Sequence, residues 1–128
     1  MRSGWRRAAE RQEQVDAALA NRLIEFEAAS FELTPLGRTT LDQLLPVLRK
    51  FNARNFEVIG HTDSVGSRAT NIALSSARAD AVKSYLVAKG FRESAITTLG
   101  VGPDRPVAPN ESPEGRSRNR RIELRVGQ

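Results

Sequence analysis

The sequence predicts an α/β (α+β) sandwich in which helices pack on one face of a single mixed sheet. Segments that alternate apolar and polar residues, the pattern of half-buried strands, recur along the chain. Two longer segments with helical spacing lie between them. The resulting order, β-α-β-α-β-loop-β, contains helical crossovers, which place helices over one face of a sheet. A chain of 128 residues, 39% hydrophobic and 27% charged, has the size and balance of one globular domain.

Residues 1–22 are rich in Ala, Arg, Gln and Glu, and the sparse Val15, Leu19, Leu23 spacing predicts a helix that links the domain to something upstream. The domain itself is expected over residues 23–128. "LIEFEAASFEL" (23–33) sets Ile24, Phe26 and Ala28 against Glu25 and Glu27, predicting a first strand whose "AASFEL" end is a loop. Thr34 followed by Pro35 reads as an N-cap with proline at the first helical position. Leu41, Leu44, Leu45 and Leu48 then mark the buried face of a helix that Pro46 should kink. "NFEVIGHTD" (55–63) is a second strand running into the loop "SVGS". An alanine-rich helix follows from about Arg68 to Lys89, closed by Gly90 at the left-handed position. "AITTLGVG" (95–102) is a third strand, and residues 103–115, with four prolines, are a loop. "RRIELRV" (120–126) alternates Ile122, Leu124 and Val126 with charged residues and predicts the last strand.

Composition removes several classes of function. Without cysteine there are no disulfides and no thiolate metal sites, and a single histidine rules out a histidine-rich metal site. No apolar run approaches the ~18 residues of a membrane span, and "MRSGWRR" leads into a polar stretch instead of a signal core. Such a start resembles an excised C-terminal domain, so a membrane anchor or barrel is expected upstream. The net charge of +5 and a pI near 10.7 first suggest nucleic acid. Yet "GRSRNRRIELR" (115–125) holds five arginines against one glutamate and accounts for nearly all of the excess. With 5% aromatics and no helix-turn-helix or ribonucleoprotein motif, a basic nucleic-acid-binding domain is the lesser alternative.

The loop "IGHTDSVG" (59–66) concentrates candidate chemistry. His61 and Asp63 fall on one side of a strand, but no nucleophile elbow accompanies them, and the glycine and lysine spacing of a phosphate loop is missing. A site for a small zwitterion fits better. Asp63 ends its strand at a loop mouth, and Arg78 lies on the next helix in one stripe with Asn71, Leu74 and Ser75. The carboxylate suits an ammonium and the guanidinium a carboxylate. A plain Asp63–Arg78 salt bridge fits the same spacing, and Asn119 with Arg120 fits a solvated strand edge.

"GHTDSVGSRATNIALSSARADAVKSYLVAKG" and "ITTLGVGPDRPVAPNESPEGRSRNRRIEL" together resemble the C-terminal peptidoglycan-binding domain of the OmpA-like family, which includes peptidoglycan-associated lipoproteins and flagellar stator subunits. The resemblance covers about residues 23–126 and rests on four motifs in order: the G-[HY]-T-D loop, the N-x-x-L-S-x-x-R-A helix, the G-x-G-x-x-x-P turn and the N-R-R strand. It implies the β-α-β-α-β-loop-β fold and non-covalent, non-catalytic binding of the diaminopimelate in the peptidoglycan stem peptide, with no cofactor. Asp63 would take the ligand ammonium and Arg78 its carboxylate. Thr62, Asn71 and Leu74 would line the pocket, with Arg120 bordering it and Ser30 and Phe31 in a neighbouring loop. His61 would be structural or marginal, since the family accepts tyrosine there. The resemblance further implies a periplasmic module that anchors an envelope protein to the cell wall, or a stator or secretion-system subunit that uses the pocket conditionally. Oligomeric state stays open.

Overall fold

The computed structural model describes residues 3–19, 24–50 and 55–126. Three strands form one mixed sheet in the order β2-β1-β3: β1 (Phe56–His61), β2 (Ile96–Gly102) and β3 (Arg121–Val126). β1 runs parallel to β2, with Phe56 opposite Ile96, and antiparallel to β3, with Val58 opposite Leu124. Among the described residues four α-helices accompany them: α1 (Ser3–Leu19), α2 (Pro35–Lys50), α3 (Arg68–Ala88) and α4 (Pro113–Asn119). Helices on one mixed sheet are the fold class expected from the residue pattern.

The core follows from the two periodicities. Phe56 and Val58 of β1 and Leu124 of β3 are buried with Ala79, Val82 and Leu86 of α3. The predicted leucine stripe of α2, Leu41, Leu44, Leu45 and Leu48, closes the same cluster. Each fully buried aliphatic side chain stabilises by about 1.5–3 kcal/mol relative to exposure. The helix ends behave as expected: the Gly37 N–H donates to the Thr34 hydroxyl at 3.0 Å, and Gly90 (φ 107°) turns the chain after α3. α2 continues through Pro46 to Lys50.

α1 packs against α2 and β3 and buries Val15 completely. Its Gln12 side chain donates to the Leu124 carbonyl at 2.7 Å and accepts the Val126 N–H at 2.7 Å, completing the outer edge of β3 much as a strand would. Leu23 and residues 20–22 lie outside the described residues.

Two elements differ from expectation. The alternating segment at 24–28 does not join the sheet: it folds back on itself, and its β pairing is a single Phe26–Leu33 bridge. The Glu27 N–H donates to the Glu32 carbonyl at 2.8 Å, and Ala29 turns the chain at φ 51°. The reason is competition for backbone groups. The Glu25 carbonyl accepts both the N–H (3.0 Å) and the hydroxyl (3.3 Å) of Thr34, while Gln12 holds the β3 edge. The second difference is α4, which begins at Pro113, near the end of the expected 103–115 loop, and leads into β3. Ser112 caps it by accepting the Gly115 N–H at 3.0 Å, with Pro113 next.

Candidate functional site

β1, β2 and β3 bring one end of the sheet together with the loops after β1 and β2 and the start of β3. α3 lies close over this end because two glycines leave room for it. A Cβ at Gly60 would meet the Ser75 carbonyl, and one at Gly100 would meet the Ser76 backbone. Ser75, fully buried, then bridges the layers: its hydroxyl donates to the Ile72 carbonyl and accepts the Gly102 N–H at 3.0 Å.

Asp63 follows β1 with its carboxylate largely withdrawn from solvent. One oxygen accepts the Val65 N–H at 3.0 Å, and the other accepts the Arg120 guanidinium at 2.7 Å. The pair is uneven, since the Arg120 side chain is 47% exposed and that of Asp63 12%. Asn71 fastens the loop, donating from Nδ2 to the Val65 carbonyl at 2.8 Å and, at the 3.5 Å limit, to that of Asp63. The Thr62 hydroxyl donates to the Asp63 carbonyl at 2.7 Å, and Ser67 caps α3 by accepting the Thr70 N–H.

Arg78 points elsewhere. Its Nε donates to the Ser30 carbonyl at 2.8 Å, and its guanidinium lies 5.1 Å from the centre of the Phe26 ring, within cation–π range. No carboxylate pairs with it among the described residues. Burial first, and then the charge of Arg120, lower its pKa from the ordinary value, although an arginine remains a cation throughout.

The expected direct pairing of Asp63 with Arg78 is therefore corrected. A carboxylate this deeply withdrawn needs a counter-charge, and the first residue after α4 supplies it before the helix arginine can. Asn119 and Arg120 do not form a plain solvated edge either: Asn119 is fully buried, and Arg120, though exposed, is tied to Asp63. Asn119 Oδ1 accepts the N–H groups of Val107 and Ala108 at 2.8 and 3.0 Å, and its Nδ2 donates to the Ala108 carbonyl and to Asn110. These bonds pin the proline-rich loop to α4 and set the position from which Arg120 leaves the backbone.

A cavity of about 360 Å³ opens between the 24–29 segment, α3 and the start of β3. Arg78, Arg120, Phe26, Ser117 and Ile122 are among its walls, and Asp63 is not. Of the other anticipated residues, Leu74 is half-buried one turn before Arg78. Ser30 contributes its carbonyl, while its hydroxyl accepts the Glu32 N–H. Phe31 is 57% exposed and does not line the cavity; the aromatic that does is Phe26. Phe26 went unnoticed because the alternating pattern assigned it to the buried face of a strand. His61, buried, bonds Glu123 at 3.1 Å and not Asp63, so no His–Asp pair forms.

The OmpA family model matches residues 25–120. Among individual proteins, the chain is 40% identical over 107 residues to outer membrane protein A of Bordetella avium, covering 84% of this chain and 54% of that protein. It is 38% identical over 103 residues to the peptidoglycan-binding protein ArfA of Mycobacterium tuberculosis, covering 80% of this chain and 32% of ArfA. The chain thus spans about half or less of the length of these curated relatives. Among solved structures, the cell wall anchor of the type VI secretion system from Pseudomonas aeruginosa superposes with a TM-score of 0.72 at 33% identity, covering 81% of this chain and 75% of that one. With three quarters of its length matched by one family model and its fold shared with a relative of known structure, this chain belongs to the OmpA family.

Proposed function

We propose that this chain is a non-catalytic peptidoglycan-binding module that anchors an envelope protein to the cell wall from the periplasm. Its ligand is the diaminopimelate of the stem peptide. The observation that carries the reading is Arg78, a half-buried guanidinium in a cavity wall with no carboxylate partner among the described residues. Such a group suits a carboxylate, with the Phe26 face and the Ser30 carbonyl holding the guanidinium plane in place. Asp63 offers the acceptor for the ligand ammonium in a setting of Thr62, Asn71 and Arg120, while Ser30 and Leu74 lie on the Arg78 side and the exposed Phe31 stays outside the cavity. The similarity to a peptidoglycan-binding protein, ArfA, and to a cell wall anchor supports the same ligand class.

The test is sedimentation with purified diaminopimelate-type peptidoglycan. Asp63→Asn keeps an acceptor for Val65 and removes the charge, and Arg78→Gln removes the carboxylate partner. Hydrogen bonds to charged groups contribute about 1.5–3 kcal/mol, so each variant should lose roughly ten- to a hundredfold in affinity while its circular dichroism stays native. Undiminished binding by both variants overturns the proposal. The salt dependence separates this reading from nucleic-acid binding: wall binding should persist from about 0.05 to 0.2 M salt, a range over which phosphate-driven binding falls by orders of magnitude.

A further inference from the structure

We propose that Arg120 is a latch that bars simple cations from the site. In the free protein it occupies the Asp63 carboxylate, and a ligand gains access only by exchanging ion pairs, its ammonium replacing Arg120 on Asp63 while its carboxylate receives a guanidinium. The inference rests on the diaminopimelate reading above and adds a selection step to it.

Three features carry it. The cavity is walled by Arg120 and not by Asp63, so the carboxylate becomes available to a ligand in the cavity when Arg120 leaves it. The Asp63 charge is already compensated by Arg120, so an arriving ammonium gains a full ion pair only by displacing it. The Arg120 side chain makes its one described hydrogen bond to Asp63 and is nearly half exposed, whereas Asp63 is held in its loop by Val65 and, through the loop carbonyls, by Asn71. The arginine is therefore the member of the pair free to swing away.

The selectivity follows from counting ion pairs. A monocation that displaces Arg120 makes one pair and breaks one, and it leaves the freed guanidinium near Arg78, whose charge it opposes. A simple carboxylate pairs with Arg78 and breaks no pair, so the latch acts against cations and not against anions. A ligand with both charges breaks one pair and makes two. The unfavourable juxtaposition of the two guanidinium groups, which disfavours monocations, is relieved only by a ligand carboxylate.

Calorimetric titration with three seven- or five-carbon probes reads this directly: meso-diaminopimelate, pimelate (no ammonium) and cadaverine (no carboxylate). The wild type should bind diaminopimelate and reject cadaverine, while pimelate reports the arginine side of the site alone. Arg120→Gln should gain cadaverine affinity by about two- to fivefold, the size of one partly exposed ion pair, and so compress the preference for diaminopimelate over cadaverine. Arg120→Lys, which keeps a cation beside Asp63, should retain the rejection. If the wild type binds diaminopimelate but Arg120→Gln gains nothing for cadaverine, the latch alone is overturned. A wild type that ignores diaminopimelate overturns both the latch and the function on which it rests.

Discussion

His61 ends β1 with its ring buried, Nε2 set 3.1 Å from Glu123 and Nδ1 without a partner in the structure. Burial, and next the charge of Arg121, lower its pKa below 6.5, against the opposing pull of Glu123. The folded ring is thus neutral near pH 7, and the tautomer with hydrogen on Nε2 fits the Glu123 carboxylate. In the unfolded chain the same ring titrates at its ordinary value. As pH falls through 6.5 the unfolded state binds the extra proton, so stability is fully present above that pH and declines toward the lowered folded value. Glu123 acts in a separate window: burial pushes its pKa up, but hydrogen bonds from Arg125 and His61 outweigh this, and its contribution is lost below about 4.5. The urea midpoint should therefore fall between about pH 7.5 and 5.5, and His61→Gln should flatten that slope. An unchanged slope in the variant would remove His61 from the account. At this scale the residue types were legible and the partners were not. Asp63 and Arg78 stand out by spacing and motif, but Arg120 reaches Asp63 from 57 positions away, a contact no local pattern encodes.

Elements carry the site through close packing. Gly60 lies against the Ser75 carbonyl, and a methyl there forces α3 away from the sheet and moves Arg78 with it. Gly60→Ala should cost about 1–3 kcal/mol in chemical denaturation, the usual scale of overpacking, and should weaken diaminopimelate binding without touching a ligand group. A variant with wild-type stability and affinity would show that the close approach is dispensable. α2 was readable from its leucine period and Thr34–Pro35, α3 from its alanine-rich composition and Gly90, and β3 from its alternation. α4 carried an end signal as well, Ser112–Pro113 followed by Glu114, but the surrounding prolines hid a seven-residue helix too short to show a period. The alternation at 24–28 misled for the opposite reason. Its pattern is that of a strand, and what decides its conformation is whether its backbone groups are taken by a sheet or by Thr34.

For the whole molecule, α1 is the test of how far the fold extends. Gln12 supplies both a donor and an acceptor to the outer edge of β3, and Val15 enters the core. Gln12→Ala removes the acceptor of the Val126 N–H, so that amide should exchange with solvent faster while core amides such as Ile59 keep their protection. Unchanged exchange at Val126 would show that α1 does not seal the edge. The charge of the molecule is distributed by the same assembly: the run from Arg116 to Arg125 looks uniform on paper, yet its members part company in space. Arg120 joins Asp63, Arg125 joins Glu123, and Arg121 donates to the carbonyls of Asn119 and Arg105. By itself the sequence determined the class of fold, the helix ends and the pair of residue types suited to a zwitterion, because periodicity, caps and side-chain chemistry are local properties. Only the tertiary structure decided that Asp63 is held by Arg120, that Phe26 backs Arg78 and that the first alternating segment stays outside the sheet. Those outcomes depend on which distant groups compete for the same carboxylate, ring face or backbone edge, and that competition exists only once the chain is folded.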